Sequence, residues 1–560
     1  MPMEDKFPLL VARRHKSGRI DGFDELRRKP VNRNVEIVPG LPGKVPQLLH
    51  LNIWPGAIVP PSPANPLGLP NDVTLALAFF TRKPGPKITK ISPLVRTKFK
   101  IWDKTFTIPG LTVTQREHLR AAVDLEVLNA SVPPPSMGVA TDLRGRLLLT
   151  LAPSTDPRFI IGALSVLRGV KLVEPVTALY GPQREEVQFR PKRDPVPLAI
   201  PPLAMPPAKV ATPPVPWMHQ LINRDSSWNN TKAVNIAILD SGAMASHPSL
   251  VGAVATPDGN WFPYDLDDQY GHGTHVTSLI VGRTVSPSDP LAQFVPQGVL
   301  PKSTALCFNI FDPTPSGTHF GLDISAFFTA LYTIRLIYPA IAVINMSIWM
   351  KDDPGMTLLE EFAEVESEKT VMVACAGNYF DPPTESDLGI DSAYRVLYPA
   401  RLPNFLSVGA INSDSERAWW SRFSTWNTDG RDGNDYFAAD AGRWPMVDVV
   451  APGAEVWGAA AATAQTLASI IPDWVSTNQQ FGAVKLWGTS MAAPYVTAAV
   501  AAVRSKTTTW GKNKRSAAEV RQLIRGGVRI PAVTISGIVK KSELYGTGLL
   551  DYPTLMSKAI

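Results

Sequence analysis

Trp487-Gly488-Thr489-Ser490-Met491-Ala492-Ala493-Pro494-Tyr495, running on into the apolar residues 496–503, decides how the rest of this chain is read. Gly488 supplies a turn, and Ser490 stands where that turn meets a helix start. Pro494 falls in the first helical turn, where its missing N–H is least costly. The small neighbours Gly488, Ala492 and Ala493 leave room for another backbone to approach the Ser490 hydroxyl. Beyond Pro494 the helix is apolar on nearly every face until Arg504, which marks a buried helix. A hydroxyl at the positive end of such a helix is placed to become an alkoxide or to hold an oxyanion beside it. A simple N-cap serine has the same local pattern, so partners elsewhere in the chain must decide.

At 560 residues the chain has length for two or three domains. Hydrophobic residues at 44% and charged residues at 19% are ordinary for a soluble protein. The 54 prolines are about twice the usual share and predict rigid loops and linkers. Cys307 and Cys375 form no disulfide framework and read as core thiols. The first apolar run, 7–12, is interrupted by Pro8 and is too short for a secretory segment, and no stretch is long enough to span a bilayer. These features predict a cytoplasmic protein with no membrane partner. The net charge of +6 is unevenly spread: residues 1–215 carry 30 Lys and Arg against 17 Asp and Glu, the remainder 25 against 32. The basic part lacks clustered Lys/Arg runs and aromatic–basic motifs, so a nucleic-acid partner is not expected. Opposite charge on two parts of one chain suits docking of one on the other.

Along the chain, residues 1–130 show no functional motif. The run 71–80 reads as a buried strand and 115–128 as a helix. Within 131–190, Arg146–Leu151 reads as a strand, Thr155-Asp156-Pro157 as a helix start, and 170–174 as the next strand, together a small α/β module. Residues 191–216 hold ten prolines and form a linker. From 217 to 560, strands at 234–239, 306–311, 342–346 and 371–376 alternate with helices, one at 325–337, which implies a mostly parallel sheet covered on both sides. The polar motifs fall at strand ends and helix starts, where open α/β sheets build their sites.

Three motifs appear in the order Asp, His, Ser: Ile238-Leu239-Asp240-Ser241-Gly242, Gly271-His272-Gly273-Thr274-His275-Val276, and the Ser490 stretch. With them stand Val343-Ile344-Asn345-Met346-Ser347, Ala374-Cys375-Ala376-Gly377-Asn378, Tyr398-Pro399-Ala400, Val449-Val450-Ala451-Pro452-Gly453 and Tyr545-Gly546-Thr547-Gly548-Leu549. In this order they resemble the subtilisin-like serine peptidases, the subtilase or S8 family, over about 217–560. The resemblance implies the three-layer α/β fold of that family, with a mostly parallel sheet flanked by helices and preceded here by the small N-terminal module. The module at 141–180 also resembles the inhibitory propeptides of subtilases, whose tail lies in the enzyme's groove.

The resemblance implies a serine endopeptidase acting on proteins or peptides through an acyl-enzyme, made as a zymogen. Ser490 is then the nucleophile, His272 the base and Asp240 its orienting carboxylate. Asn378 faces the oxyanion, and Ser347, Ile348, Trp349, Ala376 and Gly377 line the substrate strand. The sedolisin relatives share the Gly-Thr-Ser serine but use an acidic base and an oxyanion aspartate, against which His272 and Asn378 argue. His272 and His275, three apart, could ligate a metal, but no third ligand cluster accompanies them, and the resemblance gives His275 a structural role. No metal or other cofactor is required for the chemistry; structural calcium is common in the family, yet no acidic loop here specifies a site. Two departures stand out. Ile348-Trp349-Met350 replaces the small residues usual after Ser347, so Trp349 narrows the groove or walls a pocket. The stretches 427–446 and 459–485 lengthen loops, and 459–471 reads as a helix that covers the site or docks a partner. The competing expectation is a latent subtilase-fold regulatory or binding protein whose N-terminal third engages a partner.

Overall fold

The computed structural model describes residues 13–14, 20–21, 48–93 (except 61, 64, 66 and 82–87), and 145–180 (except 153–154, 156 and 176–178). From 216 onward it describes all but 226–227, 229–230, 256–267, 269, 312–323, 338–340, 351–356, 368, 379–395, 403, 419, 424–446, 462–473, 478–480, 510–511, 514, 532–543 and 560. The linker at 191–216 up to its last residue, the expected helix at 115–128 and the stretch 427–446 lie outside the described residues.

The N-terminal module runs β1 (Leu48–Ile53), α1 (Asn71–Thr81), β2 (Ile88–Pro93), β3 (Arg146–Leu151), α2 (Pro157–Ser165) and β4 (Val170–Pro175). Its sheet has the order β2-β3-β1-β4 with every pairing antiparallel, the β-α-β-β-α-β arrangement. The pairing of β1 and β2 with β3 extends the module well upstream of residue 131, because two of its four strands come from 48–93. The stretch 71–80 is a helix and not the expected strand. Val73, Leu77 and Phe80 are buried at helical spacing while Leu75 and Phe79 are exposed. An apolar run of this length is ambiguous between the two periods, and Asn71-Asp72 at its head are helix-start residues. Leu49, Leu51, Ile53, Leu147, Leu149 and Leu151 form a separate small core with residues of α1 and α2. The opposite face of the sheet carries Leu48 and Leu148, which pack on the core of the larger domain.

After β5 (Leu179–Tyr180), the larger domain contains β6 (Asn235–Asp240), β7 (Val254–Ala255), α3 (His272–Val281), β8 (Thr304–Asn309), α4 (Ile324–Ile337), β9 (Ile341–Met346) and β10 (Trp349–Met350). There follow α5 (Thr357–Glu366), β11 (Val371–Cys375), β12 (Phe405–Ile411), β13 (Val449–Pro452), β14 (Val456–Ala461), β15 (Trp474–Thr477) and β16 (Phe481–Leu486). The chain closes with α6 (Thr489–Thr507), α7 (Ala517–Gly526), β17 (Val528–Arg529), β18 (Leu549–Leu550) and α8 (Tyr552–Ala559). Among the described residues the main sheet has the order β17-β18-β13-β12-β11-β9-β6-β8-β7, parallel throughout except at β17–β18. Its central strands are near-continuous apolar runs because both faces are covered: Ile236–Leu239, Val371–Cys375 and Phe405–Ile411 are buried throughout. Among the described residues, no helix is long and apolar enough to cross a membrane.

β14 pairs antiparallel with β16, which also pairs with β15. Residues 459–461 are therefore the end of a strand and not the start of a helix. Alanine is permissive in both states, and pairing with Phe481-Gly482-Ala483 decides the outcome.

Candidate active site

Three neighbouring strands of the sheet, β6, β9 and β11, end at one level. Met346 lies opposite both Leu239 and Ala374, so Asp240, Ser347 and Cys375 follow at the same edge. Above this edge stand the first turns of α3 and α6, which begin at His272 and Thr489.

His272 Nδ1 lies 2.7 Å from Asp240 Oδ1, with the aspartate side chain fully buried and the imidazole nearly so. A carboxylate only accepts, so the ring donates from Nδ1, and its neutral form carries the lone pair on Nε2. The Ser241 N–H also donates to Asp240 Oδ1, at 2.7 Å. His275 turns elsewhere, donating from Nε2 to the Val456 carbonyl of β14 at 3.0 Å. Burial pushes its pKa down to about 3, and the neutral ring ties α3 to β14. Among the described residues, no group of three or more His, Cys, Asp and Glu is arranged to hold a metal.

Ser490 stands in the first turn of α6, a helix buried from Met491 to Val503. Its hydroxyl donates to the Ser347 carbonyl at 3.3 Å and lies 3.8 Å from Cys375 Sγ. In return the Ser347 hydroxyl donates to the Ser490 carbonyl at 2.9 Å. Ser347 itself receives the Asn345 amide at 3.1 Å, and Asn345 receives Thr497 of α6 at 2.7 Å. Ser347 thus clasps the serine's backbone with its side chain, a role that its place in the substrate-strand motif did not reveal.

Asn378 Oδ1 accepts two bonds from Thr489, from the N–H at 2.8 Å and from the hydroxyl at 2.9 Å. The Thr489 hydroxyl in turn accepts the Gly377 N–H at 3.0 Å. Two donors on one end of the amide settle which end is oxygen, so the Nδ2 group faces the other way. It lies towards Gly488, where a Cβ would come within 3.3 Å of Nδ2. Glycine at 488 therefore keeps open the space beside the amide.

Of the other substrate-strand residues, Ile348 is buried and its carbonyl accepts Cys375 Sγ–H at 3.4 Å. Trp349 and Met350 form β10, which pairs antiparallel with β5: Trp349 opposite Tyr180, Met350 opposite Leu179. The backbone of Ala376 is engaged within the protein, its N–H on Val408 and its carbonyl on Leu397, while the Gly377 carbonyl accepts Arg422 N–H. Two further residues of the site escaped sequence reasoning. Thr489 sits inside the quoted serine motif and acts through Asn378. Asp268, fully buried, precedes His272 by four residues, and the only signal was an acid just ahead of a glycine turn and helix start.

A parallel α/β sheet whose strand ends gather an Asp–His pair, a helix-terminal serine and an oriented asparagine amide has its site where open sheets of this class build theirs. The profile of the Subtilase family matches residues 231–546, more than half of the chain, and the chain belongs to that family. Subtilisin NAT of Bacillus subtilis subsp. natto is 28% identical over 325 residues, covering 57% of this chain and 64% of its own length. Subtilisin of Bacillus pumilus is likewise 28% identical over 325 residues, with 89% of its length covered. The major intracellular serine protease of Bacillus subtilis (strain 168) is 26% identical over 300 residues, 52% of this chain and 76% of that protein.

Proposed function

We propose that this chain is a serine endopeptidase that hydrolyses peptide bonds of proteins through an acyl-enzyme on Ser490. The observation that carries this reading is the buried 2.7 Å Asp240–His272 pair at the end of β6, level with the end of β9, where the Ser347 carbonyl takes the Ser490 hydroxyl. Ser490 turns off the Ser347 carbonyl and attacks the substrate carbonyl carbon as His272 Nε2 takes its proton. Asp240 holds the Nδ1–H tautomer and stabilises the imidazolium, which then protonates the leaving amine. Asn378 Nδ2 and the Ser490 N–H meet the oxyanion, with the dipole of α6 adding to their field. Water, deprotonated by the same imidazole, releases the acyl group. No metal or cofactor takes part.

The N-terminal module acts as an intramolecular inhibitor in this proposal, and the chain is made as a zymogen. β5 supports this, because it occupies β10, the edge on which an extended peptide substrate pairs. A permanently latent protein, regulatory rather than catalytic, would keep the same pairing, and that reading is the alternative. Intact mass of the purified wild type beside Ser490→Ala separates them, together with fluorophosphonate labelling. A shortened, labelled wild type and a full-length, unlabelled variant are expected. A folded wild type that stays full length and never labels at Ser490 defeats the peptidase reading and leaves the latent one.

A further inference from the structure

We propose that Asp268 is a positioning residue of the Asp240–His272 pair, holding the loop after β6 and the first turn of α3 together around one ionised carboxylate. The inference rests on the peptidase reading of the pair and adds to it a residue outside the triad.

Five donors converge on this side chain, which has no exposed surface. Its Oδ1 accepts the Ser241 hydroxyl at 2.7 Å, the Gly271 N–H at 2.8 Å and the Tyr270 N–H at 3.1 Å. Its Oδ2 accepts the Thr274 N–H at 2.7 Å and the Thr274 hydroxyl at 2.6 Å. The directions of the hydroxyl bonds are determined by their other partners. The Ser241 hydroxyl already accepts the Gly273 N–H at 2.9 Å, and the Thr274 hydroxyl already accepts the Met244 N–H at 2.9 Å. Each hydroxyl thus accepts from a backbone N–H and turns its proton towards Asp268. Three of the five donors are backbone N–H groups, which can only donate, and they favour the carboxylate over its acid form. Burial, the largest influence, and the neighbouring Asp240 hold the carboxyl above the ordinary carboxylate range, against hydrogen bonds from Thr274 and Ser241 that favour the ionised form.

The partners divide between the two halves of the pair. Ser241 directly follows Asp240 and donates its N–H to the Asp240 carboxylate. Tyr270, Gly271 and Thr274 bracket His272. Removing the carboxylate would leave the β6 loop joined to α3 by fewer contacts, among them Gly273 N–H on Ser241 and Met244 N–H on Thr274. It would also remove a carboxylate held by the residues that flank His272, and a negative charge nearby favours the imidazolium that forms during turnover. Among the described residues, the other titratable groups that bear on this cluster are Asp240 on β6, His275 on α3, held neutral by burial, and Cys307 on β8, whose thiol burial pushes up to about 12. Neither His275 nor Cys307 supplies a charge that would replace the lost one.

The test reads the histidine itself, in full-length chain carrying Ser490→Ala so that no self-cleavage intervenes. Histidine labelled at Cε1 is titrated by NMR, with the His272 signal assigned by its loss in His272→Ala. Asp268→Asn is expected to lower the His272 pKa by about half a unit or more, roughly a threefold loss of proton affinity, because the imidazolium has lost a negative neighbour. Ser241→Ala and Thr274→Val, which each remove one hydroxyl donor and keep the charge, are expected to broaden or shift the Nδ1–H resonance and to move the pKa less. A purely structural aspartate would lower the melting temperature and leave the His272 titration in place. That result in a folded Asp268→Asn overturns the proposal. Should Asp268→Asn not fold, an unchanged titration and Nδ1–H resonance in both hydroxyl variants overturns it as well. Labelling of otherwise wild-type chain decides the peptidase reading separately, since the titration needs no activity.

Discussion

At the residue scale, the site is a set of amides and hydroxyls whose directions are forced by their neighbours. Asn378 shows this most clearly, since Thr489 takes its oxygen twice and leaves Nδ2 to face the space beside Gly488. Asn378→Ala is expected to lower turnover by roughly 10²–10³ with little change in KM, the scale known for removing one oxyanion donor in subtilisin. Thr489→Val keeps the shape but removes the hydroxyl donor, and a smaller loss, about tenfold, is expected as the amide's orientation slackens. Equal kcat in Asn378→Ala and wild type, measured on the same peptide substrate, would remove Asn378 from the oxyanion site. Asp240, His272, Asn378 and Ser490 were legible because each is flanked by glycines and small residues at a strand end or helix start. Asp268 and Thr489 were not, because their roles arise from hydrogen bonds to neighbours that only the fold brings near.

At the element scale, α3 must approach the loop after β6 very closely for His272 to reach Asp240. Gly273 marks that approach, because a Cβ there would stand 2.1 Å from the Gly242 carbonyl oxygen, inside any tolerable contact. Its N–H also donates to Ser241. Gly273→Ala is therefore expected to push α3 outward, costing about 1–3 kcal/mol in stability and on the order of a hundredfold in activity. Thermal melting and the rate of fluorophosphonate labelling measure the two effects, and an undisturbed labelling rate would mean that the helix moves without carrying His272 with it. The alternation of strands and helices beyond residue 217 was readable because buried parallel strands have their own composition, as in Val371-Met372-Val373-Ala374-Cys375. Residues 71–80 and 459–461 were misread for one shared reason. Short apolar or alanine-rich runs carry no period of their own, and their state is set by what packs or pairs with them.

At the scale of the whole molecule, two features couple distant parts of the chain. The first is acid sensitivity. Burial lowers the pKa of His219 to about 3, His247 to about 4 and His275 to about 3. On unfolding these histidines return to an ordinary value near 6.5, so below that pH the unfolded chain binds more protons than the folded one. The histidine contribution is thus constant above about pH 7, and stability falls as pH drops from about 6.5 towards 4, at up to ~1.4 kcal/mol per pH unit for each histidine. His247 receives Ser249 N–H on Nδ1 and donates from Nε2 to the Gly482 carbonyl of β16. His247→Gln is expected to be less stable at neutral pH yet to lose less stability between pH 6 and 4.5, as read from denaturant midpoints in the Ser490→Ala background. An unaltered slope would take His247 out of the acid response.

The second coupling joins the N-terminal module to the site. Leu48 and Leu148 pack on the larger domain's core, and on the same face of the sheet His50, Asn52, Arg146 and Glu174 are buried, with His50 and Glu174 3.1 Å apart. Sequence reading reached the docking through charge asymmetry alone, since the faces that meet are assembled from strands more than a hundred residues apart, such as β1 and β4. From this face the chain continues through β4 to β5, which adds a strand to β10 two residues beyond Ser347. If that strand holds the substrate edge closed, breaking its backbone ladder should open the site without touching any group that does chemistry. Tyr180→Pro removes the N–H opposite Trp349 and disfavours pairing at Leu179 as well. In freshly purified chain the variant is expected to label at Ser490 several-fold faster than wild type, and the amides of Trp349 and Met350 should exchange faster with deuterium. Faster exchange with an unchanged labelling rate would show that β5 pairs with β10 without controlling access, and the restraint on Ser490 would then lie in its hydroxyl's bond to the Ser347 carbonyl.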